Sequence, residues 1–150
     1  MGRLDGKTVL IVGGASGAGM TTALRYGAEG AAVCVADLDG VAAEAVAARI
    51  RDSGARAVAV EGDVADEQSA RRFVTTTLEE LGAVDVVHNN AAALNLLAQD
   101  QDLTALDADV IDRTFAVNVK GPMLVCKHAV PVMLAAGHGV IVNTASMAAV

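Results

Sequence analysis

The sequence is poor in aromatic residues, proline and cysteine. Aromatic residues make up 2% of its 150 residues, with no tryptophan and one tyrosine, whereas hydrophobic residues make up 53%. The core must therefore consist of Ala, Val, Leu and Ile, which suits parallel strands buried between helices. The two cysteines, Cys34 and Cys126, stand far apart with no CxxC pair. This spacing favours reduced thiols over a disulfide or a metal site.

Long apolar runs and basic clusters are also missing. No apolar run approaches the roughly 18 residues of a membrane-spanning helix, and the N-terminus lacks the apolar core of a signal peptide. The formal net charge is −7, and Lys and Arg are scattered. Neither a nucleic acid nor an anionic membrane is therefore expected as a partner. These features predict a soluble cytoplasmic protein.

What the sequence does contain is a glycine-rich turn between a predicted strand and a predicted helix. Gly13, Gly17 and Gly19 follow the apolar segment Thr8–Val12 and lead into a helix over Ala18–Glu29. A helix N-terminus offers unpaired N–H groups and the positive end of its dipole, and glycine lets a pyrophosphate approach the backbone. The turn lacks the Lys-Ser/Thr end of a P-loop, so it predicts dinucleotide binding rather than Mg-nucleotide hydrolysis.

Strand and helix patterns alternate along the chain with short connections. The predicted strands are Thr8–Val12, Ala32–Ala36, Ala57–Glu61, Val84–His88 and Gly139–Asn143. The predicted helices, each followed by a glycine, are Ala18–Glu29, Val41–Ser53, Asp66–Leu81 and a long one from Asp107 to Ala135. Strands joined by helical crossovers predict one α/β domain with a parallel sheet and helices on both faces. The irregular segment Ala91–Leu106 is expected to form a loop or a short helix over the site.

Acidic and amide side chains stand where predicted strands end. Asp37, Asp63 and Asn89 share the carboxyl edge of the sheet with the glycine turn, where such sheets bind ligands. Asp37 is predicted to accept hydrogen bonds from the adenosine ribose and to repel a 2′-phosphate, which favours NAD over NADP. The alternative is a solvated turn or N-cap aspartate, and Asp39 competes for the ribose. Asp63 is either an acceptor for the adenine amino group, with the Val64 backbone against the ring, or the start of the next connection.

Together these motifs resemble the short-chain dehydrogenase/reductase family. The resemblance rests on Gly13–Gly19, Asp37, Asp63-Val64, Asn89-Asn90-Ala91, Asn118 and Asn143–Ser146, in family order along essentially the whole chain. Val12 stands where the family usually has threonine, and Ala92 replaces the last glycine of its NNAG motif. We expect a doubly wound, Rossmann-type parallel sheet with strand order 3-2-1-4-5 and helices on both faces.

The resemblance also implies roles for individual residues. Cofactor contacts are expected at Gly13, Ser16, Gly17, Ala18, Gly19, Asp37, Leu38, Asp63, Val64, Asn89, Asn90 and Ala91. Asn89 is expected beside the adenosine ribose or in the central sheet. Asn118 is implied to hold a water that bonds the family's catalytic lysine, and Ser146 to hydrogen-bond the substrate oxygen. Taken alone, Asn118 is a packed polar residue and Ser146 a loop serine.

The family's catalytic tyrosine and lysine, which form a YxxxK motif beyond the serine, are not found in the sequence. The only tyrosine is Tyr26, and Gly30 stands where the lysine would follow. Residues 1–150 are therefore expected to form an NAD(P)-binding domain that is C-terminally incomplete. His88 ends a predicted strand where the family usually has an apolar residue, and is expected to be a capped, partly buried side chain or to line the site.

Two functions stay open at this point. The resemblance implies an oxidoreductase that transfers a hydride between NAD(H) and a small secondary alcohol or ketone, as a homodimer or homotetramer when full length. The alternative is a truncated, catalytically inactive NAD-binding module without the Tyr/Lys pair. A sugar-nucleotide epimerase or dehydratase fits the context of Asn143–Ser146 less well, and the glycine spacing disfavours a methyltransferase-like domain.

Overall fold

The computed structural model describes residues 2–99 and 101–145, so Ser146 lies outside the described residues. The strands are β1 (Thr8–Val12), β2 (Ala32–Asp37), β3 (Ala57–Glu61), β4 (Val86–Asn89) and β5 (Val140–Asn143). The α-helices are α1 (Gly17–Ala28), α2 (Gly40–Asp52), α3 (Glu67–Leu81), α4 (Ala108–Phe115) and α5 (Gly121–Ala136). A 3₁₀ helix covers Leu94–Gln99 within the segment expected to be a loop or short helix, and a π-helical turn covers Ala116–Lys120.

The described strands form one parallel sheet in the order β3-β2-β1-β4-β5. This confirms the predicted Rossmann-type order, in which the direction of strand addition reverses beside β1. Val12 at the end of β1 pairs with Ala36 of β2 and with Asn89 of β4. Because these strands end level, the segments that follow them meet at the switch point of the sheet.

Helices cover both faces of β1, and all five of its residues are buried. Successive side chains of a strand point to opposite faces, and the buried residues accordingly form two clusters. One cluster includes Leu10, Val12, Phe73, Val74 and Val125, and the other includes Val9, Ile11, Ala23, Ala47 and Ile50. The two clusters pack helices against both faces of the sheet and so position the ends of its strands.

Three predicted strands differ from the structure in their bounds, and the first is β2, which ends at Asp37 rather than Ala36. β4 begins at Val86 rather than Val84 and extends one residue further, to Asn89, and β5 begins at Val140 rather than Gly139. Ahead of β4, the Asp85 carboxylate accepts a 2.7 Å hydrogen bond from the Thr8 N–H, and the Asp85 N–H donates to the Thr8 carbonyl. At Asp85, within the predicted strand, the side-chain carboxylate thus takes the place of a backbone carbonyl as the acceptor for the Thr8 N–H.

The long helix predicted over Asp107–Ala135 is not regular, because the π-helical turn separates α4 from α5. Pro122 has no N–H to donate to the carbonyl of Asn118, and a proline ring clashes with the carbonyl four residues earlier in a regular α-helix. The Gly121 N–H donates instead to Ala116, five residues earlier. The wider turn accommodates the proline, as π-turns inside α-helices do.

Other sequence expectations can be compared with the described residues directly. Cys34 and Cys126 are free thiols, as predicted, and burial raises the pKa of the Cys34 thiol to about 11. Within the described ranges, no helix combines the length and the apolar character that crossing a bilayer requires. β5 forms one edge of the described sheet, and 55% of Val140 is exposed there.

Candidate functional site

A cleft of about 880 Å³ opens at the carboxyl ends of the strands. This volume lies within the range of about 300–1,000 Å³ that is typical of small-molecule sites. The residues predicted to contact a cofactor that line this cleft are Gly13, Ser16, Gly17, Ala18, Asp37, Leu38, Asp63, Val64, Asn90 and Ala91. Gly19 and Asn89 do not line it.

The glycine turn forms the floor of the cleft and is packed tightly against its neighbours. Gly13 has a φ of 82°, in the left-handed region that favours glycine. The N–H groups of Gly13 and Gly14 donate to the Ala36 carbonyl oxygen over 2.8 and 3.3 Å. Gly19 contributes by having no side chain, since a Cβ there would collide with the Gly13 carbonyl oxygen. Helix α1 therefore begins directly against the turn.

The N-terminus of α1 faces this floor. Ser16 is the N-cap residue, its side chain makes no capping hydrogen bond, and Ser16, Gly17 and Ala18 are exposed. The first N–H groups of a helix have no partner within the helix, and the dipole adds a partial positive charge. No acidic side chain lies in the first turn of α1, all of which is described. An anionic group can bind here.

Asp37 at the end of β2 is held by backbone donors. One carboxylate oxygen accepts from the Ala15 N–H at 2.9 Å, and the other accepts from the Asp39 N–H at 3.1 Å. A carboxylate offers about four acceptor positions, so each oxygen can accept another hydrogen bond from the cleft. Asp39 is engaged elsewhere, because its side chain accepts from the Ala42 N–H at the start of α2.

Asp63 after β3 forms an ion pair with a residue of α4. Its carboxylate lies 2.9 Å from the Arg113 guanidinium and accepts a 2.9 Å hydrogen bond from the Ala65 N–H. Burial by itself raises the pKa of Asp63, but the Arg113 and Ala65 hydrogen bonds outweigh it and hold the pKa below its usual value. Asp63 is therefore an ionised acceptor on the wall of the cleft.

Asn89, the last residue of β4, and Asn90, which follows it, have different surroundings. Asn89 is 4% exposed, and its Nδ2 donates to Asn143 Oδ1 over 2.9 Å, between β4 and β5. Of its two expected positions, beside the ribose or in the central sheet, the structure shows the second. Asn90 lines the cleft, where its Nδ2 donates to the Gly13 carbonyl over 2.9 Å.

Asn118 lies in the π-helical turn, where its Oδ1 accepts a 2.9 Å hydrogen bond from the Ala93 N–H. This contact ties α4 and α5 to the segment that covers the cleft. Because Pro122 has no N–H, the Asn118 backbone carbonyl also lacks a regular helical donor from that position. The implied water-holding role of Asn118 and the implied role of Ser146 stay predictions.

Two residues that line the cleft are not among the predicted cofactor contacts. Arg113 and Thr144 both line the cleft. Thr144 follows β5 as Asn90 follows β4, so the rule that strand ends form the site would have found it. Nothing in the sequence marks Arg113, because its role depends on how α4 packs beside β3. His88 does not line the cleft and is 7% exposed, so it is more deeply buried than the expected capped, partly buried side chain.

The whole chain is similar to known proteins. The sequence profile described as short chain dehydrogenase matches residues 7–150. The chain is 40% identical over 147 residues to a sorbitol dehydrogenase of Cereibacter sphaeroides, covering 97% of this chain and 55% of that protein. It is 40% identical over 149 residues to a D-threitol dehydrogenase of Mycolicibacterium smegmatis, covering 98% and 55%.

A solved structure is also similar to this chain. The crystal structure of NAD⁺-bound xylitol dehydrogenase superposes with a TM-score of 0.89 at 31% identity, covering 97% of this chain and 55% of that chain. The chain thus spans about half the length of the curated relatives that it matches.

Proposed function

This chain belongs to the short-chain dehydrogenase family, and on that premise we propose that it binds NAD(H) and takes part in hydride transfer to or from a secondary alcohol or ketone. The observation that carries the proposal is the meeting of the glycine turn, Asp37 and Asp63 around one cleft. A relative named for D-threitol and a neighbour bound to NAD⁺ support the same class of chemistry.

The residues of the cleft fit a dinucleotide. The exposed N–H groups at the start of α1 would hold the pyrophosphate. Asp37 has free acceptor positions for the ribose hydroxyls, and Asp63 for the adenine amino group. At Gly17 an added Cβ would meet no atom within 4 Å, so the glycine leaves open space at the phosphate position.

The charges of the cleft support NAD as the cofactor rather than NADP. Its described lining carries four carboxylates, Asp37, Asp39, Glu61 and Asp63, and one guanidinium, which is already paired with Asp63. A 2′-phosphate on the ribose would add negative charge beside Asp37 with no free cation among these residues to receive it. We therefore propose that the chain prefers NAD.

The chemistry divides between the cofactor and the chain. When bound, the nicotinamide ring supplies or accepts the hydride. In our proposal Ser146 donates a hydrogen bond to the substrate oxygen, and Asn118 holds a water while its Oδ1 fixes Ala93 over the cleft. The acid/base tyrosine of the family is not among the 150 residues. This favours a second candidate, an NAD-binding module that does not catalyse the reaction by itself.

The same proposal extends to assembly. Phe115, Val119 and Met123 are 61%, 48% and 67% exposed along α4, the π-helical turn and α5. An apolar row of this kind is typical of a helix that packs against another copy, and we propose a homodimer or homotetramer for the full-length protein. A cytoplasmic location stays a prediction from the sequence.

Calorimetric titration tests the cofactor assignment. We expect the wild-type chain to bind NAD⁺ more tightly than NADP⁺. Asp37→Asn should weaken NAD⁺ binding by about tenfold or more, because hydrogen bonds to a charged group contribute about 1.5–3 kcal/mol. The same variant should bind NADP⁺ no worse than the wild type does.

The matched control is Asp52→Asn, which removes one exposed carboxylate at the far end of α2. Equal effects of the two variants would contradict the role of Asp37. No binding of either dinucleotide by the wild type would overturn the proposed function. Incubating the chain with NAD⁺ and secondary alcohols separates the two candidates, since the binding module produces no NADH.

A further inference from the structure

A chain of side-chain hydrogen bonds runs from helix α1 to the glycine turn through His88. The Tyr26 hydroxyl lies 3.0 Å from His88 Nδ1, and His88 Nε2 lies 2.9 Å from Thr144 Oγ1. Thr144 Oγ1 lies 3.2 Å from Asn90 Oδ1, and Asn90 Nδ2 lies 2.9 Å from the Gly13 carbonyl oxygen. We call these five residues the His88 chain.

Chemistry fixes the direction of the three hydrogen bonds that lead from His88 Nε2 to the Gly13 carbonyl. The Gly13 carbonyl can only accept, so the Asn90 amide nitrogen donates to it and the Asn90 oxygen accepts from Thr144. Thr144 has one hydroxyl proton, and it must therefore accept from His88 Nε2. A neutral imidazole with its one proton on Nε2 then accepts at Nδ1 from the Tyr26 hydroxyl.

The burial of His88 agrees with this protonation state. Only 7% of the residue is exposed, and burial lowers the pKa of its imidazole below the usual value. The Tyr26 and His88 rings also pack edge to face, with centroids 5.9 Å apart. An apolar residue at position 88, which the family usually has, would leave both hydroxyls without the imidazole.

The His88 chain joins both ends of the unit that would hold the pyrophosphate. Gly13 opens the glycine turn, and Tyr26 lies in the last turns of α1, the helix into which that turn leads. His88 in β4 bridges the two, and Thr144 extends the bridge to the segment after β5. Its hydrogen bonds therefore restrain the turn, the helix and the β5 end relative to the sheet.

We propose that His88 is a positioning residue for the dinucleotide site. Through Thr144 and Asn90 it fixes the glycine turn in the conformation that receives the pyrophosphate, without touching the cofactor itself. This inference rests on the proposed function for its role in binding, but the conformation that it predicts is a property of the protein without ligand.

The first test is the protonation state of the imidazole in the ligand-free 150-residue chain. Side-chain ¹⁵N NMR at neutral pH should show His88 as a neutral imidazole protonated at Nε2, with the signal assigned by its loss in His88→Gln. A ring protonated at Nδ1, or one that averages over both tautomers, would overturn the hydrogen-bond order on which the proposal depends.

The second test compares variants for amide hydrogen exchange in Gly13–Gly19 and for NAD⁺ affinity. His88→Leu removes the hydrogen bonds to both Tyr26 and Thr144. It should speed exchange in the turn and weaken NAD⁺ binding by about tenfold, the size expected for losing the one bond, to Thr144, that leads to the turn. His88→Gln keeps a donor for Thr144 and should recover most of both properties. His128→Gln, which replaces a histidine of α5 outside the cleft, should behave like the wild type.

The outcomes separate this inference from the proposed function. A merely structural His88 would lower the unfolding temperature in His88→Leu while turn exchange and NAD⁺ affinity stay unchanged, and that result would overturn the inference. If His88→Leu does not fold, the near-isosteric Thr144→Val breaks the same chain and must give the same two effects. If the wild type binds no NAD⁺, the proposed function fails, and the tautomer and exchange results still decide whether His88 sets the turn.

Discussion

Single side chains at the strand ends act mainly on backbone groups. Asp37 accepts from Ala15 N–H, Asp63 accepts from Ala65 N–H, and Asn90 donates to the Gly13 carbonyl. Each of these bonds fixes a turn whose own N–H or carbonyl groups would otherwise need water. The cleft is therefore organised before a ligand enters, which lowers the cost of ordering on binding.

The closest packing in the site gives a prediction at this scale. Gly19→Ala places a Cβ against the Gly13 carbonyl oxygen and 2.6 Å from Asn90 Nδ2. We expect the free energy of unfolding to fall by about 1–3 kcal/mol, as for overpacked cores, and NAD⁺ binding to be lost. Urea unfolding and calorimetric titration measure the two effects.

Gly17→Ala is the comparison for this variant. An added Cβ there has open space, and the cost comes only from its φ of 50°. Alanine in the left-handed region costs about 1–2 kcal/mol. If Gly19→Ala lowers the free energy of unfolding no more than Gly17→Ala does, close packing is not the reason for the glycine at position 19.

At the scale of elements, aspartate caps determine where several helices begin. Asp39, Asp66 and Asp107 are the N-cap residues of α2, α3 and α4, and each side chain accepts from a backbone N–H of the first turn. Such caps satisfy N–H groups that have no partner within the helix. Helix starts in this chain are therefore set by single polar residues that the sequence shows plainly.

Asp66 gives the clearest prediction for an element. Its carboxylate accepts from the Ser69 N–H at 2.8 Å and from the Ser69 hydroxyl at 2.9 Å. Asp66→Ala should lower the free energy of unfolding by about 1 kcal/mol, whereas Asp66→Asn should retain most of the cap. Urea unfolding should show almost no change for the control Gln68→Ala, an exposed position on the same turn. A loss in Gln68→Ala equal to that in Asp66→Ala would contradict the capping role.

The sequence predicts regular elements better than irregular ones. The sheet order and the glycine that follows each long helix could be predicted, because both depend on local patterns and general rules of chain connection. The π-helical turn could not, since Pro122 is also compatible with an ordinary helix start, and the Asn118 contact with Ala93 forms only in the folded chain. The ion pair of Arg113 with Asp63 and the hydrogen bonds of His88 with Tyr26 and Thr144 could not be predicted for the same reason, because the partners are distant in sequence.

At the scale of the whole molecule, one buried carboxylate holds the end of the sheet opposite to the cleft. Asp85 is 7% exposed. It accepts from the Thr8 N–H at 2.7 Å, lies 2.6 Å from His138 Nε2 and lies 3.7 Å from Lys7 Nζ. These contacts join β1, β4 and the turn before β5. Loss of the Asp85 charge is therefore expected to affect the stability of the whole fold.

The pH dependence of stability follows from Asp85. Burial alone raises the pKa of this carboxyl, but the Thr8 N–H, His138 and Lys7 outweigh it and lower the pKa in the folded state. The stabilising contribution is thus complete above the ordinary aspartate pKa of about 3.9 and is lost as the pH falls through the lower folded value. Urea unfolding at a series of acidic pH values should show a weaker pH dependence for Asp85→Asn than for the wild type.

Asp52→Asn is again the control, because that carboxylate is exposed at the end of α2. It should retain the pH dependence of the wild type. Parallel curves for the wild type and Asp85→Asn would show that other carboxyl groups cause the acid lability of the fold.

The scarcity of aromatic residues has a practical consequence for optical spectroscopy. The sequence has no tryptophan and one tyrosine. Apart from the weak emission of phenylalanine, all intrinsic fluorescence of the protein therefore comes from Tyr26. The hydroxyl of this fluorophore is hydrogen-bonded to His88, so its emission intensity and lifetime report on the hydrogen bonds that lead to the glycine turn. The protein therefore contains its own optical probe of the glycine turn, and no label has to be introduced.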